Sequence, residues 1–182
     1  MTTIIDGSAS ATFATALPVA QGGSGGVSAA AALINLQASV PAIDVFLSAS
    51  QTVTSAVATK IQLNTKVFDL TNAFDAVTNF RFQPLVAGYY QINTRQRAVA
   101  TTTFTSANVE IYKNGTIFYR TIEINSGSTT VSGSTIILLN GSTDYLEFFG
   151  TVVGTGTITF DAGGSATGLY GPRVSAILVK AT

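Results

Sequence analysis

Hydrophobic and polar residues alternate along most of the chain from Ile43 to the end. Runs such as GYYQINTRQRAVA, ANVEIYK, TIFYRTIEI and VSAILVKA are rich in β-branched and aromatic residues, and Gly, Asn, Ser and Pro separate them. Alternation of this kind predicts half-buried β-strands. Many short strands at this spacing are typical of a sandwich, barrel or jelly roll, so an all-β domain is expected here.

The run that starts at Gly88 gives the clearest assignment of faces. Successive side chains of a strand point to opposite sides of a sheet, which places Tyr90, Ile92 and Thr94 on one face. We expect this face to lie in the core, and we expect Gly88 itself to release the chain from the preceding turn. The opposite face would carry Tyr89, Gln91, Asn93, Arg95 and Arg97.

Two Asn-Gly pairs mark turns between strand-like runs. Asn114-Gly115 lies between VEIYK and TIFYR, and Asn140-Gly141 lies between TIILL and STDYLEFF. Asn-Gly readily adopts the positive φ angles of a type I′ turn. Both pairs are therefore predicted to close β-hairpins.

The first 42 residues have a different character from the rest. Asp6 is their only charged residue, and small residues dominate, whereas aromatic and β-branched residues are frequent after Ala42. We predict an N-terminal attachment arm over 1–20, a Gly-rich linker with a short helix over 21–42, and the β-domain over 43–182. The arm has too few large apolar residues to form a core, so we expect it to lie against another protein.

The segment LPVAQGGSGGVSAAAALINLQA, Leu17 to Ala38, supplies the linker. Ser28 is a good N-cap for a helix through AAAALINL, in which Leu33 and Leu36 share a face. The segment resembles a repeat found in many bacteriophage tail-fibre and related virion proteins. The matching residues include Gly22, Gly23, Gly25, Asn35 and Leu36, whereas Ser24, Leu33 and Gln37 depart from the repeat. The resemblance implies a joint between an attachment region and a distal domain.

Composition narrows the classes of function. Nine basic and nine acidic residues make up only 10% of the chain, so no strong field attracts nucleic acid. Cysteine and histidine are absent, which removes disulfides, thiolate nucleophiles, imidazole bases and the usual zinc ligands. The opening residues do not form a secretory signal, and no apolar run has the length of a bilayer. We expect neither a cleaved leader nor membrane insertion.

Carboxylates and tyrosines are the remaining candidates for chemistry. Asp69 with Asp75 and Asp144 with Glu147 are pairs in sequence, but acid/base catalysis needs convergent geometry in a cleft. We interpret Asp69 as a turn residue and predict no catalytic residue, cofactor or metal ligand. A calcium ion at the loop residues Asp144 and Asp161 is left open as an alternative.

Three tyrosines near predicted hairpins or loops have two interpretations. Their aromatic faces suit stacking on sugar rings, and they equally suit a core or an interface. They are Tyr112, Tyr119 and Tyr170.

The order of landmarks after Ala42 resembles the C1q/tumour-necrosis-factor-like jelly roll. The signature comprises Phe68-Asp69, Phe80, Phe82, Pro84, Gly88, Tyr90 and Ile92, and the later runs follow in the family's order. The resemblance covers the chain from Ile43 to the end and implies a compact homotrimer. Hydrophobic residues make up 46% of the chain, which is compatible with apolar area buried between subunits.

Together, the two resemblances imply a phage virion structural protein, made in the cytoplasm of the bacterial host. One hypothesis is a trimeric knob or short fibre that binds a host-surface glycan or protein, and the alternative is a capsid decoration or cement protein. In both, residues 1–42 attach the trimer to other virion proteins. A glycan-cleaving enzyme is disfavoured, because such spikes usually have long β-helical bodies.

Overall fold

The computed structural model describes residues 28–37, 40–124, 129–163 and 168–182. The predicted arm and the linker glycines Gly22, Gly23 and Gly25 lie outside the described residues. The chain divides into two units, Met1–Val40 and Pro41–Thr182, and the first strand of the second unit begins at Ala42.

The first unit contains the helix α1, Ala29–Gln37. Ser28 caps it as predicted, because its Oγ accepts a hydrogen bond from the amide of Ala31 at 3.1 Å. Leu33 and Asn35 are both exposed on the helix surface. The side chain of Leu36 lies outside the described residues.

Thirteen strands lie in the described part of the second unit. They are β1 Ala42–Phe46, β2 Gln51–Val53, β3 Thr59–Lys60, β4 Thr65–Asp69, β5 Phe74–Asp75, β6 Arg81–Phe82, β7 Gly88–Ala100, β8 Thr103–Lys113, β9 Thr116–Ile124, β10 Thr129–Leu139, β11 Leu146–Thr155, β12 Ile158–Phe160 and β13 Arg173–Ala181. All their pairings are antiparallel.

The strands form two sheets, which we call sheet A and sheet B. In sheet A, β10 and β13 flank the long strand β7, β1 pairs with β13, and β4 pairs with β1. The short strands β12 and β2 extend sheet A beside the end of β7. Sheet B has the order β5-β6-β11-β8-β9, with β3 also paired to β11. This arrangement is the all-β jelly-roll sandwich that the sequence predicts.

The core lies between the two sheets. Tyr90 and Ile92 enter it from β7 in sheet A, while Phe82 and Phe148 enter it from sheet B, and all four are fully buried. The hydroxyl of Tyr90 donates a hydrogen bond to the carbonyl of Val86 at 2.7 Å, so its burial leaves no polar group unpaired. Each large apolar side chain buried in this way contributes about 1.5–3 kcal/mol to folding.

Gly88 is required by close packing and not by a turn. A Cβ atom at Gly88 would lie 2.3 Å from the carbonyl oxygen of Lys180 and 2.6 Å from Cδ1 of Leu178. Its φ angle is not positive, in contrast to the role in a turn that the sequence suggests. The neighbouring strand β13 therefore passes too close to Gly88 for any side chain.

The two Asn-Gly pairs have different roles. Asn114 and Gly115 have φ angles of 53° and 79°, and they close the hairpin between β8 and β9 as predicted. The prediction of a second hairpin at Asn140-Gly141 is wrong, because β10 belongs to sheet A and β11 to sheet B. Here the chain crosses between sheets, and the Oδ1 of Asn140 accepts hydrogen bonds from the amides of the next loop residues.

Two residues of the aromatic signature lie outside the core. Phe68 is 42% exposed, because it pairs with Asp44 across a β-bulge and directly opposed residues share a face of the sheet. Phe80 is half-buried in the loop before β6, with a φ angle of 47°. The signature thus includes core residues, such as Phe82, and loop or surface residues.

Candidate interface and polar depression on sheet A

The side of sheet A that points away from the core carries the most distinctive surface of the second unit. We call it the outer face. The alternation along β7 predicts its residues correctly: Thr94 is buried like its inward neighbours, while Tyr89 and Asn93 are exposed and Arg95 is half-buried. Residues of β10, β13 and β1 continue the face on both sides of β7.

Exposed hydrophobic side chains gather at one end of the outer face. Tyr89 is opposite Leu138 of β10, while Gln91 is opposite both Ile136 of β10 and Ile177 of β13. The exposed fractions are 41% for Tyr89, 45% for Leu138, 53% for Ile136 and 49% for Ile177. We call these four residues the apolar cluster. Single exposed apolar residues are normal, whereas a contiguous patch indicates an interaction surface.

Hydrogen-bonded polar side chains occupy the middle of the outer face. Gln91 Nε2 donates to Ser134 Oγ at 2.5 Å, and Ser134 Oγ donates to Asn93 Oδ1 at 2.9 Å. Asn93 Nδ2 reaches Ser175 Oγ at 3.4 Å. The network spans β10, β7 and β13, so it orients polar groups outward across three strands.

Two arginines lie at the other end of the outer face. Arg95 of β7 and Arg173 of β13 are directly opposite each other. Arg173 donates two hydrogen bonds to the carboxylate of Asp44 on β1. The bond from Nε of Arg173 to Oδ1 of Asp44 is 2.7 Å long, and the second runs from Nη2 to Oδ2. Arg95 instead donates to backbone carbonyls, to Gly171 from Nε at 3.1 Å and to Gly168 from Nη2 at 2.9 Å.

The two guanidinium groups differ in their electrostatic environment. Burial and then the charge of Arg173 lower the pKa of Arg95. The hydrogen bonds to Asp44 raise the pKa of Arg173. Within the part of the chain that the structure describes, no carboxylate lies within ion-pair distance of Arg95. The charge of Asp44 nevertheless acts on Arg95 and opposes the lowering of its pKa.

A depression of about 460 Å³ opens on the outer face beside these arginines. Its lining includes Arg95, Arg173, Asp44 and three residues of the polar network, namely Asn93, Ser134 and Ser175. We call it the polar depression.

Asp69 holds a turn, as its position in the sequence suggests. Its two carboxylate oxygens accept hydrogen bonds from the amides of Ala73 at 2.8 Å and Phe74 at 3.0 Å. Lys66 pairs with the same carboxylate at 2.7 Å. All these contacts are structural, because they fix the chain between β4 and β5.

Asp75 organises the next loop in the same way. Its carboxylate accepts hydrogen bonds from the amides of Val77, Thr78 and Asn79. These bonds stabilise the charged form and hold the pKa of Asp75 well below its usual value.

Asp144, Glu147 and Asp161 each have a cationic partner. Lys113 lies 2.9 Å from Asp144, Lys60 lies 2.5 Å from Glu147, and Arg97 lies 3.1 Å from Asp161. The side chains of Asn114 and Lys113 lower the pKa of Asp144 through hydrogen bonds.

Among the residues that the structure describes, no group of three or more His, Cys, Asp or Glu side chains has the geometry of a metal site.

The three candidate tyrosines have separate environments. Tyr119 is partly buried and packs against the core. The ring centroids of Tyr112 and Phe149 are 4.2 Å apart. Burial, followed by the charge of Glu110, raises the pKa of Tyr112. Tyr170 is 58% exposed, between the two glycines that bind Arg95.

The pairing of Arg95 with Arg173 and the burial of Glu110 are not apparent from the sequence. Glu110 is fully buried on β8, and its Oε1 lies 3.0 Å from Nη2 of Arg120. A charged residue at an otherwise alternating position gives no sign of its partner, because the partner is set by strand register. Only the pairing of β7 with β13 brings Arg95 next to Arg173.

Comparison with known proteins identifies the fold. No family model and no curated protein matches the chain. Among solved structures, the globular domain of a zebrafish complement 1qA protein is similar with a TM-score of 0.56 and 14% identity, over 79% of this chain and 99% of that one. The Eiger TNF of S. frugiperda is similar with a TM-score of 0.58 and 6% identity, over 79% and 94%.

A viral protein shares the same fold. The PRD1 vertex protein P5 is similar with a TM-score of 0.55 and 16% identity, over 77% of this chain and 97% of that one. At these identities the likeness shows the fold alone. The second unit is therefore a C1q/TNF-like jelly roll.

The structure also bears on membrane association. Within the described residues, no helix has both the length and the apolar character needed to span a bilayer.

Proposed function

We propose that the protein is a homotrimeric structural component of a phage virion. Its jelly-roll head would be exposed as a knob or short fibre that contacts the host surface, and residues 1–42 would attach it to other virion proteins. The apolar cluster on the outer face of sheet A is the observation that carries the proposal. No catalytic residue is part of this function, since the candidate carboxylates are engaged in turns and ion pairs.

The apolar cluster supports self-association. Tyr89, Leu138 and Ile136 are neighbours on β7 and β10, and Ile177 lies beyond Gln91 on β13, so the four side chains are grouped at one end of the outer face. Burying such a patch between subunits removes apolar surface from water, which favours association. A closed threefold ring covers the patch on every subunit without open-ended polymerisation.

Two observations support a place in a virion. The PRD1 vertex protein P5 shares the jelly-roll fold, and the segment from Leu17 to Ala38 resembles a linker repeat of phage tail-fibre proteins. A glycine-rich joint would allow a threefold head to sit on a support of different symmetry. Three arms in one trimer would bind with avidity, because the second and third contacts are intramolecular.

A capsid decoration or cement protein is the second candidate. The likeness of the jelly-roll head to a vertex protein, P5 of PRD1, is compatible with this candidate. The two candidates share the trimer and the attachment by residues 1–42, and they differ in whether the head binds the host.

Removal of residues 1–42 tests the attachment. Phage particles would be assembled with the full-length protein or with the truncated protein, and its occupancy would be measured on purified virions. We expect the truncated protein to be absent from particles while it remains a folded trimer in solution. Truncated protein present at full occupancy would refute the attachment role.

Host contact needs a separate measurement. Purified full-length protein would be tested for binding to host cells, and particles lacking the protein would be tested for adsorption. Cell binding with reduced adsorption would support the knob. Particles that adsorb normally but lose heat stability would support the cement protein instead.

A further inference from the structure

We infer that α1 packs against its two copies in the trimer, so that three helices form a short parallel bundle. The inference rests on the homotrimer of the proposed function, and it goes beyond that function by assigning a second contact between subunits, outside the jelly-roll head. Three features carry it: the exposed apolar side of α1, the short length of the helix, and the place at which the chain enters the head.

One side of α1 presents apolar side chains to solvent. Leu33 and Ile34 are 55% and 66% exposed, and Ala29 and Ala30, one turn earlier, are exposed as well. Residues four apart are neighbours on a helix surface, so these four residues form one patch. We call it the apolar side of α1. Asn35 lies outside it, about 140° round the helix from Ala30.

α1 is too short to be stable by itself. Its nine residues are fewer than the roughly 12–15 that an isolated helix needs in water. Its first turn has no acidic residue and its last turn has no basic residue, so no side-chain charge stabilises the helix dipole. Most of the stability of α1 must therefore come from packing of its apolar side against another surface.

Copies of the same helix suit this surface. The sequence has no charged residue between Asp6 and Asp44, so three identical helices meet without repulsion between like charges. Each helix of a threefold bundle contacts two neighbours. Leu33 and Ile34 lie on either side of Ala30 around the helix, so each contacts one neighbour when Ala30 faces the axis. The small side chain of Ala30 then allows the three helices to approach closely.

The chain enters the head at the surface where we propose that the subunits meet. The carbonyl of Pro41 accepts a hydrogen bond from the amide of Leu178 at 3.1 Å, and Ala42 is directly opposite Ile177 of the apolar cluster. α1 ends at Gln37, so at most roughly 14 Å of extended chain separates it from Pro41. Contact between heads through the apolar cluster therefore tethers three helices together, at an effective concentration on the order of millimolar.

The bundle follows from the trimer and does not cause it. Helices of this length associate only when the heads already hold them together. Removal of residues 1–42 is therefore still expected to leave a trimer.

Cysteine cross-linking of the full-length protein tests the bundle, because the sequence contains no cysteine of its own. Ala30→Cys places a thiol on the apolar side with little change in volume, and Asn35→Cys is the matched control on the same helix. A disulfide forms only where two Cα atoms come within about 7 Å. Under mild oxidation, Ala30→Cys should give covalent dimers of up to about two-thirds of the chains, since a threefold axis leaves one thiol unpaired. Asn35→Cys should cross-link at least about tenfold more slowly.

Light scattering on the same samples separates failure of the bundle from failure of the proposed function. A trimer in which both cysteines cross-link at equal rates would overturn the bundle and leave the trimer intact. A trimer in which neither cysteine cross-links would do the same. A monomeric parent protein would contradict both the bundle and the proposed trimer.

Hydrogen exchange in a further variant reports the packing itself. In the full-length protein, the amides of α1 should exchange at least about tenfold more slowly than in an unstructured peptide. Leu33→Asp should abolish this protection, while the strands of the head stay protected and the mass remains that of a trimer. Protection of α1 that survives in Leu33→Asp would overturn the inference. Protection that is absent in solution and arises only in assembled particles would assign the apolar side of α1 to another virion protein instead.

Discussion

The ring of Phe82 packs edge-on against the ring of Tyr90, with centroids 5.5 Å apart and planes inclined by 74°. Phe82 comes from β6 in sheet B and Tyr90 from β7 in sheet A, so the contact joins the two sheets. Edge-to-face geometry is favourable because the positive edge of one ring meets the negative face of the other. The pair therefore helps to hold sheet A, whose other side is the outer face, against sheet B.

The faces of β7 give the first prediction. Ile92→Ala removes a fully buried side chain and should lower the free energy of unfolding by about 2–5 kcal/mol. Asn93→Ala, at the next position on the outer face, should lower it by less than about 1 kcal/mol. Urea denaturation of both variants measures the difference. Equal losses at the two positions would show that the assignment of faces is wrong.

The close approach of β13 to Gly88 gives the second prediction. Gly88→Ala places a methyl group against the carbonyl of Lys180 and the side chain of Leu178, so β13 must move. We expect a loss of about 2 kcal/mol or more in the free energy of unfolding. Gly115→Ala is the comparison: an added Cβ would lie 3.8 Å from the hydroxyl oxygen of Tyr145, an ordinary contact, so its cost is the backbone strain of the positive φ angle.

Amide hydrogen exchange provides a second test of the Gly88→Ala variant. Amide hydrogen exchange should be faster in β13 of Gly88→Ala, because the pairing of Ala181 with Gly88 is disturbed. Unchanged stability together with unchanged exchange in β13 would contradict the steric role of this glycine.

Acid stability gives the third prediction. Because the pKa of Asp75 is lower in the folded protein than in the unfolded chain, its contribution is complete at neutral pH and is lost as the pH falls below the ordinary value of 3.8. Asp75→Asn should therefore reduce stability at pH 7 and make the decline between about pH 5 and pH 2 less steep, because the carboxylate that loses its charge there is no longer present. Melting temperatures measured across this range would test it, and parallel curves for the two proteins would disprove it.

Local patterns along the chain predict much of the fold. Period-two alternation places Tyr90 and Ile92 in the core, Ser28 caps the helix, and Asn114-Gly115 closes a hairpin. Each of these features depends on residues close together in the sequence. Propensity and alternation are sufficient for such features.

Features that depend on distant strands could not be predicted in this way. Phe68 faces outward because a bulge sets the register between β1 and β4. Asn140-Gly141 connects two sheets because the partner of β10 is β7, far earlier in the chain. Likewise, the alternation along β7 places Arg95 on the outer face, but only the register with β13 places Arg173 beside it.

The solution mass of the full-length protein tests the central claim most directly. Light scattering after size-exclusion chromatography should give three times the 18.8 kDa of one chain at micromolar concentration. Ile136→Asp, in the centre of the apolar cluster, should give a folded monomer, because a charge buried at the interface is costly. Val77→Asp, an exposed hydrophobic residue in a loop and the matched control, should remain trimeric. A folded monomer of the parent protein, or a trimer that Ile136→Asp leaves intact, would contradict the account.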